Sequence, residues 1–269
     1  VSEYRCDTET IVPDAGYFFG LGVFETIAVE EGRPLFLDRH LARLQKGLDF
    51  LGLDQTVEPA AVRTYLKLLP AIVRRHGVLK ITVSEKNVLF THRQNPYGDA
   101  DFARGFSCCL SEVLRNPTSP FVYHKTLQYG ENIQELHAAK RQGFDGAIFQ
   151  NASHNFCEET RANLFFLKGD HLLTPRLENG LLNGTVRQLL LETLPTSERA
   201  LSVEEADIPV ADLATFDEAF LTNALMGVMP LRQLGNHVFK SRHRVDAIRA
   251  HYVAMAEAGS VLDSDFSVC

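Results

Sequence analysis

The chain has 269 residues, 45% of them apolar, and a formal charge of −7 at neutral pH. That length and apolar share suffice for one large domain or two small ones with a packed core. The acidic balance and the lack of a long basic run exclude nucleic acid as the main partner, and no stretch approaches the ~18 apolar residues of a membrane-spanning helix.

The first ten residues, VSEYRCDTET, lack the apolar core of a signal peptide. The stretch GVFETIAVEEGRPLFL reads as two strand-like runs joined by a turn at Glu31-Gly32. A helix follows at once, because Leu37, Leu41, Leu44, Leu48 and Leu51 are spaced four and three in alternation. A second helical stretch, EPAAVRTYLKLLPAIVRRHG, is interrupted at Pro70, which removes a backbone N–H and clashes with the preceding turn. GVLKITVSE alternates Leu79, Ile81 and Val83 as a half-buried strand, and EKNVLFTHRQNPYGDADFARG, polar and proline-containing, reads as a long excursion.

RNPTSP, Arg115 to Pro120, concentrates turn formers between two strand-like runs. This places a smaller N-terminal α/β domain over 1–115, a linker over 116–120, and a larger C-terminal α/β domain over 121–269. In the second domain the pattern predicts a helix from about Glu131 to Gln142, a strand at GAIFQ, and a hairpin over Lys168-Gly169-Asp170. A further helix is expected at NGTVRQLLLETL, then a strand at DEAFLTNALMG and a polar tail from about residue 259. The five cysteines, Cys6, Cys108, Cys109, Cys157 and Cys269, are odd in number and two are adjacent, which argues against a disulfide framework. A reducing cytoplasm fits better, with Cys108, Cys109 and Cys157 as small buried apolar side chains.

Several chemistries can be set aside. The sequence has no G-x-S-x-G elbow, no Gly-Lys-Ser or Gly-Lys-Thr phosphate loop and no H-E-x-x-H, and its histidines lack metal-ligand spacing, so no metal is expected. Gly20-Leu21-Gly22 lacks the third glycine of a dinucleotide fingerprint. In VYHKTLQYGENIQELHAAK, Lys125 sits where an alternating run gives way to a helix, either a solvated strand-end lysine or a buried amine that does chemistry. NGTVRQLLLE opens a helix with Asn183, Gly184 and Thr185, which on its own suits a plain N-cap better than a phosphate held by free N–H groups. Arg43, on the polar flank of the leucine-striped helix, can reach a phosphate or lie in water.

Together these blocks resemble a known family. FGLGVFETIAV, RHLARL, HKTLQYGENI, CEETRANLFF, LENGLLNGTVRQLLLE and DEAFLTNALMGVMPL follow one another from Gly20 to Leu231 in the order seen in the fold-type IV pyridoxal 5′-phosphate enzymes. That family holds branched-chain aminotransferases, D-amino-acid aminotransferases and aminodeoxychorismate lyases. The resemblance implies a two-domain fold like that of D-amino-acid aminotransferase, with the cofactor in a cleft between domains and a homodimer as the working unit. It implies that Lys125 bonds covalently to the cofactor and later shuttles the proton, as a desolvated amine can near neutrality. Glu158, five residues before Asn163, resembles the carboxylate that pairs with the pyridine nitrogen. Arg43, the N–H groups at Gly184, Thr185 and Val186, and the loop of Asn223, Ala224 and Leu225 resemble the phosphate side. Tyr129 sits where many members have a pocket tyrosine; a core tyrosine suits the position equally.

Within the family, RNP ahead of the lysine, ANLFF and NALMGVMP are most similar to aminodeoxychorismate lyases. Thr26, in GVFET, matches a threonine whose hydroxyl helps move the proton. Leu21 stands where the family has Asp, and SEKNVLFTHRQNPY replaces a glycine- and arginine-rich loop, leaving Arg93 as the nearest candidate for a substrate carboxylate. The expected reaction converts 4-amino-4-deoxychorismate to 4-aminobenzoate and pyruvate, a step of folate synthesis. The alternatives are transamination of D-amino acids or branched-chain L-amino acids, and a binding protein without catalysis.

Overall fold

The computed structural model describes residues 5–6, 10–196 and 201–262, which fall into two units of mixed α and β structure. One holds the described residues up to Pro96, His124–Gln128 and the last helix from Ala254; the other holds Tyr97–Tyr123 and Tyr129–Val253.

The first unit runs β1 (Arg5–Cys6), α1 (Ala15–Phe19), β2 (Gly22–Glu30), β3 (Arg33–Pro34), α2 (Leu37–Leu51), α3 (Pro59–Leu66), α4 (Ala71–Arg75), β4 (His76–Ser84) and β5 (Val88–Gln94). Its strands form an antiparallel sheet in the order β1-β5-β4-β2-β3. One face carries Val23, Ile27, Val29, Leu79, Ile81, Val83 and Phe90, which pack with Leu37, Leu44 and Leu48 of α2 and with Val62, Tyr65 and Leu66 of α3. The leucine spacing and the strand alternation predicted from sequence are thus two sides of one core. The helical stretch is indeed broken near Pro70, but α3 already ends at Leu66 and Pro70 stands at the N-cap of α4, opening the next helix.

The expected excursion after Ser84 is instead ordered: β5 pairs along β4 from Val83↔Val88 to Gly77↔Gln94. Its buried apolar residue is Phe90, with polar His92 and Gln94 on the same face and Thr91 and Arg93 on the other, so the polarity that suggested a loop belongs to a strand whose ladder β4 supplies.

The second unit adds α5 (Asp99–Arg104), β6 (Phe106–Arg115), α6 (Gly130–Arg141), β7 (Gly146–Asn151), β8 (Phe156–Glu159), β9 (Ala162–Lys168), β10 (His171–Pro175), α7 (Thr185–Thr193), β11 (Ser202–Ala206), β12 (Glu218–Asn223), β13 (Gly227–Leu234), β14 (His237–Val238) and, up to Val253, the first part of α8 (His243–Leu262). The strand order is β11-β10-β9-β12-β13-β6-β7-β8, with β14 on β13. A further pairing of β8 with β9 closes β9, β12, β13, β6, β7 and β8 into a barrel-like ring. Phe106, Cys108, Ile148, Phe156, Leu164, Phe166, Leu221 and Met229 fill one side of it.

The boundary differs from the one expected at 116–120. β6 pairs in parallel with both β7 and β13, so residues 97–115 belong with the second unit and the chain leaves the first at Pro96. Pro120–Tyr123 forms a 3-10 turn rather than a strand ahead of Lys125. Of the expected polar tail, 259–262 continue α8 and 263–269 lie outside the described residues. Cys108, Cys109 and Cys157 are free thiols, buried at Cys108 and Cys157 and half-buried at Cys109. Among the described residues no helix is long and apolar enough to cross a membrane.

Leu48, fully buried between α2 and the sheet, bears directly on the first unit. Leu48→Ala should cost about 2–5 kcal/mol, read as a lowered denaturation midpoint at unchanged denaturant slope.

Candidate active site

In the first unit, the segment around Lys125 lies against the start of β2. The Phe24 N–H donates to the Lys125 carbonyl at 2.9 Å, the Leu127 N–H to the Gly22 carbonyl at 2.8 Å, and Val23 bridges Thr126. Glycine is required at Gly22, since a Cβ there would stand 2.7 Å from both the Leu127 side chain and the Val83 carbonyl. The half-buried Lys125 therefore takes its position from β2 rather than from a strand of its own. Its Nζ lies 4.3 Å from the centre of the Phe24 ring.

Phe24 and Thr26 are two apart on β2, and their partners on β4 are Thr82 and Lys80. Leu89, Thr91 and Arg93 of β5 pair with Thr82, Lys80 and Val78, so Thr26, Lys80 and Arg93 share one sheet face. Lys80 Nζ is 4.7 Å from the centre of the same Phe24 ring, and burial, aided by the charge of Arg93, pushes its ammonium below the ordinary lysine range. Arg93 also donates through Nη1 to the Gln94 carbonyl at 3.1 Å.

The opposite face holds a buried charge. Glu25 is fully buried in the stripe Val23, Ile27, Val29. Arg43 Nε donates to its Oε1 at 2.7 Å and Nη2 to its Oε2 at 2.8 Å, while His40 Nδ1 lies 2.7 Å from Oε2. His40 and Arg43 are three apart on α2, so one helical face delivers both. Burial pushes Glu25 up, but the Arg43 charge and the hydrogen bonds from Arg43 and His40 more than offset it, leaving the carboxyl well below its usual range. Burial likewise pushes the His40 ring below its ordinary value, so a neutral imidazole donates its Nδ1–H to the carboxylate. Arg43 is therefore not in water. Its guanidinium is fixed on one edge, leaving the Nη1 amine and the second N–H of Nη2 to bind an anion.

In the second unit, β8 carries a bulge. Ile148 pairs with Glu159 and Gln150 with Phe156, so Cys157 and Glu158 together oppose Phe149. Glu158 and Glu159 consequently face opposite ways. Glu159 is buried with Thr160 and Arg161 N–H as partners, and burial raises its carboxyl. Glu158, 8% exposed, pairs with Asn163, accepts from Arg115 Nη2 at 3.3 Å and from the Leu182 N–H at 3.1 Å.

Leu182 also binds the other way, its carbonyl accepting from Asn163 Nδ2 at 2.7 Å. This tie lies two residues before Gly184, the N-cap of α7, which no side chain caps. A Cβ on Gly184 would stand 2.1 Å from Asn163 Oδ1, so glycine is required for the close approach. Asn183, the alternative cap, instead accepts from Arg187 Nη1 at 3.1 Å. The N–H groups of Thr185 and Val186 open the helix, where donors and dipole favour an anion.

β9 also pairs with β12, setting Thr222 opposite Asn163 and the Asn223 loop beside it. There Asn223 Oδ1 accepts from the N–H groups of Leu225 at 2.9 Å and Met226 at 3.0 Å. The Leu225 N–H is thereby already used within the turn. Tyr129 stands at the start of α6 and donates its hydroxyl to the Thr160 carbonyl at 2.9 Å. Burial, then the charges of Glu158 and Glu159, push that hydroxyl far above its ordinary value, so it remains a donor.

Lys80, Glu25, His40 and Arg115 were missed as site residues in the sequence reading. For Glu25 a signal exists: a charge at a core-facing position of an alternating strand needs a buried partner, and the next helix offers His40 and Arg43. For Lys80 the same alternation, with Leu79 and Ile81 inward, turns its side chain to the other face. Arg115 was read only as the edge of a linker. Unit by unit, the first supplies a primary amine and a fixed guanidinium; the second supplies a buried carboxylate and an uncapped helix start cradled on Asn163. These donor types, with the α7 N–H groups left uncapped by any side chain, suit a phosphorylated pyridine aldehyde.

Comparison with known proteins gives a consistent answer. The family model described as amino-transferase class IV matches residues 22–234. The aminodeoxychorismate lyase of Bacillus subtilis is 25% identical over 82% of this chain and 80% of its own length. The D-alanine aminotransferase of Bacillus licheniformis is 25% identical over 88% and 87%. The crystal structure of 4-amino-4-deoxychorismate lyase from Pseudomonas aeruginosa superposes with a TM-score of 0.74 at 25% identity, covering 93% of this chain and 97% of that one. Branched-chain aminotransferases match as well, and so does an aminotransferase structure bound to pyridoxal phosphate.

Because Glu25 is ionised and buried, Glu25→Ala should destabilise the protein by about 3–5 kcal/mol at neutral pH, by leaving Arg43 buried without its partner. A carboxyl held below its ordinary value of 4.5 contributes fully above that value and loses its contribution as pH falls below it. The stability gap between wild type and variant, followed by urea denaturation, should therefore narrow towards acid.

Proposed function

Since this chain belongs to the class IV amino-transferase family, whose members are pyridoxal-phosphate enzymes, we propose that it is a 4-amino-4-deoxychorismate lyase, releasing 4-aminobenzoate and pyruvate. The observation that carries the choice of reaction is the sheet face of Thr26, Lys80 and Arg93. Two cations beside one hydroxyl suit a substrate with two carboxylates, and an amino acid such as D-alanine or leucine offers one.

When bound, pyridoxal phosphate bonds to an amine and draws electrons from the neighbouring carbon. Lys125 is the residue proposed to hold it and, once displaced by the substrate's amine, to take the proton from the carbon bearing that amine. The Thr26 hydroxyl assists this transfer. The Glu158 carboxylate keeps a proton on the ring nitrogen, so that the ring accepts electrons. Arg43, through its remaining N–H groups, and the N–H groups of Thr185 and Val186, with Gly184 and the Asn223–Leu225 loop beside them, hold the phosphate. Tyr129 serves as a fixed hydroxyl near Glu158. Arg93 and Lys80 each take one substrate carboxylate.

The bond from the ring to the enolpyruvyl oxygen then breaks, and the ring becomes aromatic. The departing group needs one proton on its methylene to become pyruvate, and Lys125 holds the one it removed. Atoms and charges balance without a keto-acid acceptor. The reading places the protein in folate synthesis, in the cytoplasm and as a homodimer.

A second reading is supported by the D-alanine aminotransferase relative, matched at the same identity over a larger share of the chain. In transamination of D-alanine or a branched-chain L-amino acid, Lys125 would make the same first proton transfer and then give the proton back, with no group expelled from the substrate.

Loaded enzyme given 4-amino-4-deoxychorismate and no keto acid should form 4-aminobenzoate over many turnovers. One equivalent of keto acid from D-alanine or L-leucine, with no 4-aminobenzoate, would select transamination instead. Lys125→Ala should lower lyase turnover by at least about 10²- to 10⁴-fold. Lys80→Met should chiefly raise KM, by roughly tenfold or more, because it removes a ground-state contact to substrate.

A further inference from the structure

We infer that Arg115 and Glu131 set how strongly Glu158 holds the proton of the cofactor's ring nitrogen, Arg115 weakening the hold and Glu131 restoring it. The inference rests on the reading of Glu158 as the partner of that nitrogen.

Arg115 ends β6 with its side chain 6% exposed and its guanidinium 3.8 Å from the centre of the Phe149 ring. Its charge is divided. Nη1 donates to Glu131 Oε1 at 2.8 Å and Nη2 to Glu158 Oε1 at 3.3 Å. Charge-assisted N–H···O bonds run about 2.7–2.9 Å, so the contact with Glu131 is at full strength while that with Glu158 is stretched. Burying a guanidinium is costly, and an apolar side chain could cover Phe149 without that cost. Its Nε is moreover buried without a hydrogen-bond partner, so packing alone does not account for the residue. What Arg115 adds is a positive charge beside Glu158.

Within the second unit, the groups beside Glu158 include Cys157, Tyr129 and Glu159. Burial pushes the Cys157 thiol to about 12 and raises the Tyr129 hydroxyl, and Glu159 faces the other side of the bulge with Arg161 near it. The contacts at Arg115 let it act on the charge at Glu158 and, through it, let Glu131 at the start of α6, whose side chain is 49% exposed, act as well. A carboxylate shared with a guanidinium accepts less strongly from a pyridinium N–H. Removing Arg115 strengthens that bond; removing the Glu131 charge lets Arg115 press harder on Glu158 and weakens it.

The test uses wild type, Arg115→Met, Glu131→Gln and Glu158→Gln, each loaded with pyridoxal phosphate labelled at the ring nitrogen. The NMR shift of that nitrogen is followed against pH. Arg115→Met should raise the protonation midpoint and Glu131→Gln should lower it, each by roughly one unit. A purely structural role for Arg115 gives no such opposite signs. Midpoints that stay put, or move the same way, while Glu158→Gln does shift them, overturn the inference alone. A midpoint that Glu158→Gln leaves unmoved overturns the assignment of Glu158 itself. Should Arg115→Met fail to fold, Glu131→Gln decides, because it changes a half-exposed side chain and its expected shift is downward.

Discussion

The pairing of β8 with β9 is the contact on which the second unit depends. Glu158↔Asn163 and Glu159↔Ala162 close the strands into a ring, and the same residues that close it carry the polar groups. Asn163 reaches the Leu182 carbonyl, Leu182 returns its N–H to Glu158, and Gly184 follows against the Asn163 side chain. Strand register, barrel closure and the start of α7 are fixed by one short network. The bulge opposite Phe149 decides which of two adjacent glutamates joins it. Glu158 is bonded by a guanidinium and a backbone N–H, whereas Glu159 is sealed in the core with a raised carboxyl.

The first unit solves a related problem by different means. A carboxylate at a core position of β2 would be prohibitive alone, and α2 brings two donors to it from one helical face. Its cost fixes Arg43 in place, which a surface arginine on a flexible stem would not be. The chemistry of the sheet therefore divides by face: buried structural charge on one side, and Thr26, Lys80 and Arg93 on the other.

Much of this was legible where the pattern is local. The leucines of α2, the alternation of β4, the β9–β10 hairpin and the α7 start all rest on spacing within a dozen residues. What was not legible depends on partners far along the chain. Thr91 and Arg93 look like loop residues until β4 supplies a ladder; Arg115 looks like a linker until β7 and β13 flank β6. Lys125 has no strand of its own, and its carbonyl is bonded by the N–H of Phe24, about a hundred positions earlier. Glu25 stood in plain sight, but its helix partners appear only once the strand's faces are assigned. The Asn223 side chain's claim on the Leu225 N–H is likewise a matter of geometry that residue type does not reveal.

The closure of the ring by two residue pairs has a thermodynamic consequence. A ring opens where its pairing is short, and β8, held by two pairs to each neighbour, carries the carboxylate proposed to engage the cofactor. A ligand that binds only the closed form adds RT ln(1 + [L]/Kd) to its stability. Cofactor occupancy and amide protection along β8 and β9 are then one quantity seen from two sides. The apoprotein would exchange those hydrogens sooner than the longer-paired strands of the barrel.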